Sequence, residues 1–175
     1  PSCDSATLIV LPQQPLGMEV ALLVFLILLN GVFAMSEMAL TASRKARLQV
    51  LLEAGEHGAQ TAIDLHDKPT KFLSTVQIGI TSIGILNGIV GEAAFAEPLA
   101  AWLAKTFVLL PPQAASWGAT GLVVVIITFL TIIFGELVPK RLGLLFPETI
   151  ARIVAPPMNW LSAATRPFVA LLSMC

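Results

Sequence analysis

The groups in this chain best able to do chemistry are acids, amides and hydroxyls set into apolar sequence. Residues 117–138, WGATGLVVVIITFLTIIFGELV, carry one ionisable side chain, Glu136, close to their C-terminal end, and Pro139 follows three positions later. Proline has no N–H to offer the carbonyl four residues earlier, so a helix that runs through Pro139 leaves the Gly135 oxygen without its usual partner. A free carbonyl then sits beside a carboxylate. In hydrocarbon that pairing is costly unless something satisfies it, and a dehydrated cation can do so. A plainer arrangement is also open: Glu136 reaches water at the interface or pairs with Lys140 one turn on, and Pro139 simply ends the helix. The polar site is the preferred reading, because an intramembrane acid is by default a functional group.

Two other apolar stretches carry polar residues that can join it. Residues 18–43 contain Asn30, Ser36, Glu37, Thr41 and Ser43; Asn30 and Glu37 share a helical face, with Ser36 about 100° round from Glu37. Residues 71–91 contain no acid but hold Ser74, Thr75, Gln77, Thr81, Ser82 and Asn87, together with Gly84, Gly88 and Gly91 at spacings that form a close-packing ridge. If the three polar faces converge, the pocket has Glu136, with Glu37 as a possible second acid, the Gly135 carbonyl, and oxygen donors from Ser36, Thr81, Ser82 and Asn87. Nothing soft is in reach. Oxygen-only coordination suits magnesium, calcium or manganese and disfavours copper or zinc, and it favours magnesium over sodium by a small margin. The same hydroxyls and amides also serve as ordinary hydrogen bonds between helices.

The elements that must position these groups are membrane helices. Of the 175 residues 56% are hydrophobic and 12% charged, with a mean hydropathy of +0.85, far from a soluble domain. The sequence predicts an all-α integral membrane protein with three crossings, about 18–43, 71–91 and 117–138. Residues 44–67, with apolar positions at helical spacing interrupted by Gly55 and Gly58, predict two short amphipathic juxtamembrane helices. The chain is expected to leave the membrane through Glu92 and Glu97, form a short helix over about 97–109, and turn at Pro111 and Pro112 into the third crossing. Residues 142–175 are apolar but interrupted by Pro147, Pro156, Pro157, Pro167, Arg152 and Arg166, which predicts short helices lying on or dipping into the cytoplasmic leaflet; a fourth, broken crossing is the alternative.

Arg44, Lys45, Arg47, Lys68 and Lys71 lie in one connection and Lys105 alone is basic in 92–116. The positive-inside rule therefore puts residues 1–16 outside the cell and the C-terminus in the cytoplasm. The net charge of -1 gives no reason to expect a nucleic-acid partner. Cys3 and Cys175 stand at opposite ends, away from His57 and His66, so neither a disulfide framework nor a zinc site is expected. No signal peptide is expected, and the chain reads as part of a longer protein. Without a nucleophile–histidine–acid set, a phosphate-cradling loop or a metalloprotease signature, it does not read as an enzyme.

Three segments, LLNGVFAMSEMALTASRKARL at 28–48, FLSTVQIGITSIGIL at 72–86 and FGELVPKRLG at 134–143, together resemble the transmembrane domain of the CorC/cyclin M (CNNM) family over roughly residues 17–175. The resemblance implies magnesium export across the plasma membrane, coupled to sodium entry. It also implies a homodimer embedded in lipid, a belting last segment, and cytoplasmic CBS modules downstream of this chain. By motif match the family's cation site falls at Ser36, the polar positions of 71–91 and the Gly135–Glu136 pair. Another reading of the same site is a magnesium sensor or regulatory scaffold that binds the ion without carrying it.

Overall fold

The computed structural model describes residues 16–107 and 111–164, which are helical throughout apart from short turns, with no strand among them. The expected outer segment 1–16 therefore falls almost wholly outside the described residues, as do both cysteines and the tail beyond 164. Helix α1 spans Leu16–Ala42, α2 Lys45–Glu53, α3 Ala59–Asp67, α4 Pro69–Thr106 and α5 Pro112–Ile132. A π-helical turn, Ile133–Leu137, runs directly into α6, Val138–Leu145, and α7 spans Pro147–Ala164.

Three stretches are long and apolar enough to cross a membrane: Gly17–Ala42, Phe72–Thr106 and Gln113–Leu145. The chain is an all-α membrane protein with the three spans expected of it. Large apolar side chains such as Phe25, Leu28, Ile89, Val125 and Phe129 lie on the outer surface, where lipid rather than water is their solvent.

The spans outrun the boundaries read from sequence. Helix α4 has 38 residues and carries Pro98 inside it, so no separate helix begins near 97. The segment around Pro98 is rich in alanine and leucine, the strongest helix formers, and one missing N–H does not break it. Nor does the third span stop at Pro139: α5, the π turn and α6 form one continuous rod. At 35 and 33 residues the second and third spans exceed the roughly 20 needed to cross about 30 Å of hydrocarbon, so they tilt or extend beyond it.

Gly55 and Gly58, both at positive φ (77° and 83°), make the turn that divides α2 from α3. A Cβ on Gly58 would run into the Arg152 carbonyl, which is how closely the turn sits on α7. Arg152 pairs with Glu56, and Arg47 with Glu148, across the same contact. Helix α7 is one helix despite Pro156 and Pro157. It buries Ala151, Val154, Ala155 and Met158 and leaves Ile153 and Trp160 outward. Its buried face joins the main core, where Phe33 and Leu40 of α1 meet Phe72, Val76 and Ile83 of α4 and Ala62 of α3. A second cluster of Leu23, Val123 and Ile127 ties α1 to α5.

Candidate cation site

Pro139 shapes the site by deforming its helix instead of ending it. The N–H of Val138 reaches back five residues to the Ile133 carbonyl, which adds one residue to the turn just before the proline. The wider turn brings the third span against α1. A Cβ on Gly31 would lie 2.9 Å from Pro139 Cγ, and one on Gly135 would lie 3.1 Å from Asn30 Nδ2. A side chain at Gly31 would force a shift, and one at Gly135 would press on Asn30.

At that contact Asn30, 3% exposed, donates its side-chain amide to the Gly135 carbonyl at 3.0 Å. The carbonyl that Pro139 cannot serve is thus satisfied from α1. The carboxamide oxygen of Asn30 has no protein partner.

Glu136 follows in the π turn and borders a cavity of about 210 Å³ between α1, α4 and α5. Asn30, Asn87, Thr128 and Thr131 supply its other polar walls, and Ile80, Ile127 and Ile132 its apolar ones. Asn87 is 1% exposed, yet neither its amide nitrogen nor its oxygen is hydrogen-bonded, and the buried Thr131 hydroxyl is likewise unmatched. Gly84 and Gly88 were expected to form a packing ridge with Gly91. Instead, a Cβ on either would meet nothing within 4 Å, and only Gly91 is closed over, by Ile127. The first two keep the cavity open.

Outside the cavity wall, Glu136 Oε1 accepts a hydrogen bond from Lys140 Nζ at 2.7 Å. The same ammonium stands 3.7 Å from Glu37 Oε2 on α1. The pairing of Glu136 with Lys140 open from sequence is therefore present, alongside the polar cavity rather than in place of it.

The sequence-named residues divide accordingly. Asn87 and Glu136 line one cavity, and Gly135 is joined to it through Asn30. Ser36 is fully buried and donates its hydroxyl to the Val32 carbonyl of its own helix at 2.6 Å. Thr81 and Ser82 are exposed and do not border the cavity. Asn30, Thr128, Thr131 and Lys140 were not among the site residues read from sequence. The threonines are three residues apart and so share a face, a signal present in an otherwise apolar run. No group of three or more His, Cys, Asp or Glu side chains able to hold a metal occurs among the described residues; the polar part of the cavity lining comes from two amides, two hydroxyls and Glu136.

Residues 21–175 match the cyclin M transmembrane N-terminal domain family. A UPF0053 protein of Synechocystis is 45% identical over 157 residues, covering 90% of this chain and 35% of the relative. The polyamine export protein of Salmonella typhimurium is 33% identical over 148 residues, 85% of this chain and 32% of that protein. Its namesake in Escherichia coli K12 is 31% identical over 151 residues, 86% of this chain and 33% of that protein. The chain thus spans about a third of the length of these relatives.

Proposed function

The chain belongs to the cyclin M transmembrane N-terminal domain family, and on that premise we propose that it is the membrane-embedded part of a cation exporter whose cargo enters the cavity beside Glu136. The observation that carries this reading is Asn87, buried with both amide atoms unpaired. An unmatched amide in a membrane interior is costly, and a ligand that arrives from outside the fold gives it a use.

Magnesium is the leading cargo, exchanged for sodium. The available oxygens come from one carboxylate, amides and hydroxyls, which is the hard donor set that magnesium prefers. Magnesium sheds water reluctantly, and a cavity of about 210 Å³ has room for several waters at roughly 30 Å³ each. A partly hydrated ion therefore suits it better than a fully stripped one. The basic connection after α1 supports an orientation with that end of the bundle in the cytoplasm, in the plasma membrane. Three spans per chain are few for a transport path, which favours a homodimer, with CBS modules following in the whole protein.

A second cargo is a polyamine. The export proteins of Salmonella and Escherichia coli bear that name, and the cavity alternates polar groups with isoleucines, a wall suited to an alkyl chain ending in an ammonium.

The test is flux through proteoliposomes of the purified protein, loaded with magnesium or spermidine, with and without a sodium gradient. Sodium-dependent magnesium flux lost in Glu136→Gln supports the leading reading, and spermidine flux alone selects the second. Binding without flux of either, in native protein, replaces the exporter by the sensor.

A further inference from the structure

Glu136 has neighbours of two kinds. Glu136 lines the cavity, and its Oε1 is held by Lys140 at 2.7 Å. The ammonium of Lys140 is also 3.7 Å from Glu37 Oε2, an oxygen that is buried and accepts no hydrogen bond. The lysine side chain is 25% exposed, Glu37 20% and Glu136 38%, so the first two are largely buried and Glu136 is the more open of the trio. One ammonium thus serves carboxylates from two different helices, one of them a wall of the cavity.

We propose that Lys140 is a tethered cation of the site: it holds Glu136 while the cavity is empty and must release it when a divalent cargo takes that carboxylate. The inference rests on the reading of the cavity as the cargo site. Two ionised carboxylates and one ammonium leave one net negative charge. With the ammonium on Glu136 a divalent ion meets a carboxylate whose charge is already matched, whereas with the ammonium on Glu37 it meets a full negative charge. Unbalanced charge is expensive in a low-dielectric setting, so the divalent ion and the ammonium compete for the same oxygen. The four-carbon stem of lysine is flexible and lets the head move without the helix. Glu37, already within ion-pair distance, gives the displaced ammonium a second partner on α1. Loading the cavity would then tighten the contact between α1 and α6, a coupling between ion occupancy and helix position that alternating access requires.

A staple that only joins α1 to α6 makes the opposite prediction for a neutral substitute. If Lys140 is structural alone, Lys140→Met loosens the site and weakens cation binding. If it is a competitor, Lys140→Met tightens binding. Magnesium binding to the purified protein in nanodiscs, by calorimetry with magnesium as the sole divalent ion, separates the two. The expected result is affinity raised by about tenfold or more in Lys140→Met, the order of one partly desolvated ion pair, with Glu136→Gln without binding. Unchanged or weaker binding in Lys140→Met, while Glu136→Gln still abolishes it, overturns the inference and leaves the site reading standing. Native-like binding in Glu136→Gln overturns the site reading itself, and absence of magnesium binding to native protein overturns both. Should Lys140→Met fail to fold, reductive methylation of native protein gives the same decision by peptide mass spectrometry. Reactivity of the Lys140 amine must rise severalfold under saturating magnesium, and equal reactivity with and without the ion refutes a displaced lysine.

Discussion

Asn30 and Gly135 stand 105 positions apart in the chain, yet the side-chain amide of one donates to the carbonyl oxygen of the other at 3.0 Å. This bond answers the difficulty that Pro139 creates. A proline in a membrane helix is tolerated where a neighbouring helix re-satisfies the backbone, and here α1 does so with a single buried amide.

Removing that amide should therefore cost stability. Asn30→Leu keeps the approximate volume but leaves the Gly135 carbonyl buried and unserved, for a loss of about 1–3 kcal/mol. Thermal unfolding in detergent checks this: the midpoint should fall clearly below native. A midpoint equal to native would mean that another donor reaches the carbonyl.

Glu136 and Glu97 are both acids on spanning helices, but only Glu136 borders the cavity, while Glu97 is exposed on α4. Glu136→Gln should weaken cation binding by at least about tenfold, since one charge-assisted contact is worth roughly 1.5–3 kcal/mol. Glu97→Gln should bind as native does. Equal effects from the two substitutions in the same titration would remove the reason for assigning the cavity to the cargo.

The three spans were legible because each is a long apolar run, and the Gly135–Glu136–Pro139 signal was legible because proline chemistry acts along one strand of covalent chain. The partner of Gly135 was not: Asn30 could be seen to share a face with Glu37, but which helix meets which, and at what height, is set by packing. Thr81 and Ser82 show the same limit from the other side, since a polar second helix offers several registers and only one turns Asn87 inward. The tail prolines do not divide α7 as expected. Pro98, Pro139, Pro156 and Pro157 all sit within helical rods, because adjacent helices and a π turn absorb one lost hydrogen bond more readily than a membrane tolerates an opened backbone.

Orientation is testable at Lys45. It lies on α2 just past the first span and pairs with Asp67 at 2.7 Å, with both side chains nearly half exposed. Such a pair is worth at most about 1 kcal/mol and does not hide the amine. A membrane-impermeant amine reagent should label Lys45 in inside-out vesicles and leave it unlabelled in intact cells. Labelling from outside would reverse the topology, and with it the direction of export.

Gly88 and Gly91 lie one helical turn apart on α4 and should respond to the same substitution in opposite ways. A Cβ at Gly88 meets nothing within 4 Å, whereas at Gly91 it collides with the Ile127 side chain. Gly91→Leu overpacks the contact between α4 and α5 and should cost about 1–3 kcal/mol. Gly88→Leu instead projects into open volume, and replacing a mid-helix glycine removes a conformational penalty of roughly 0.5–1 kcal/mol. Its unfolding midpoint should be native or higher while cation binding falls, because the side chain fills the space beside Asn87 and Glu136. Stability and binding thus separate at Gly88 and not at Gly91. A Gly88→Leu protein that melts as native and still binds cation with native affinity would place the cargo somewhere other than this cavity.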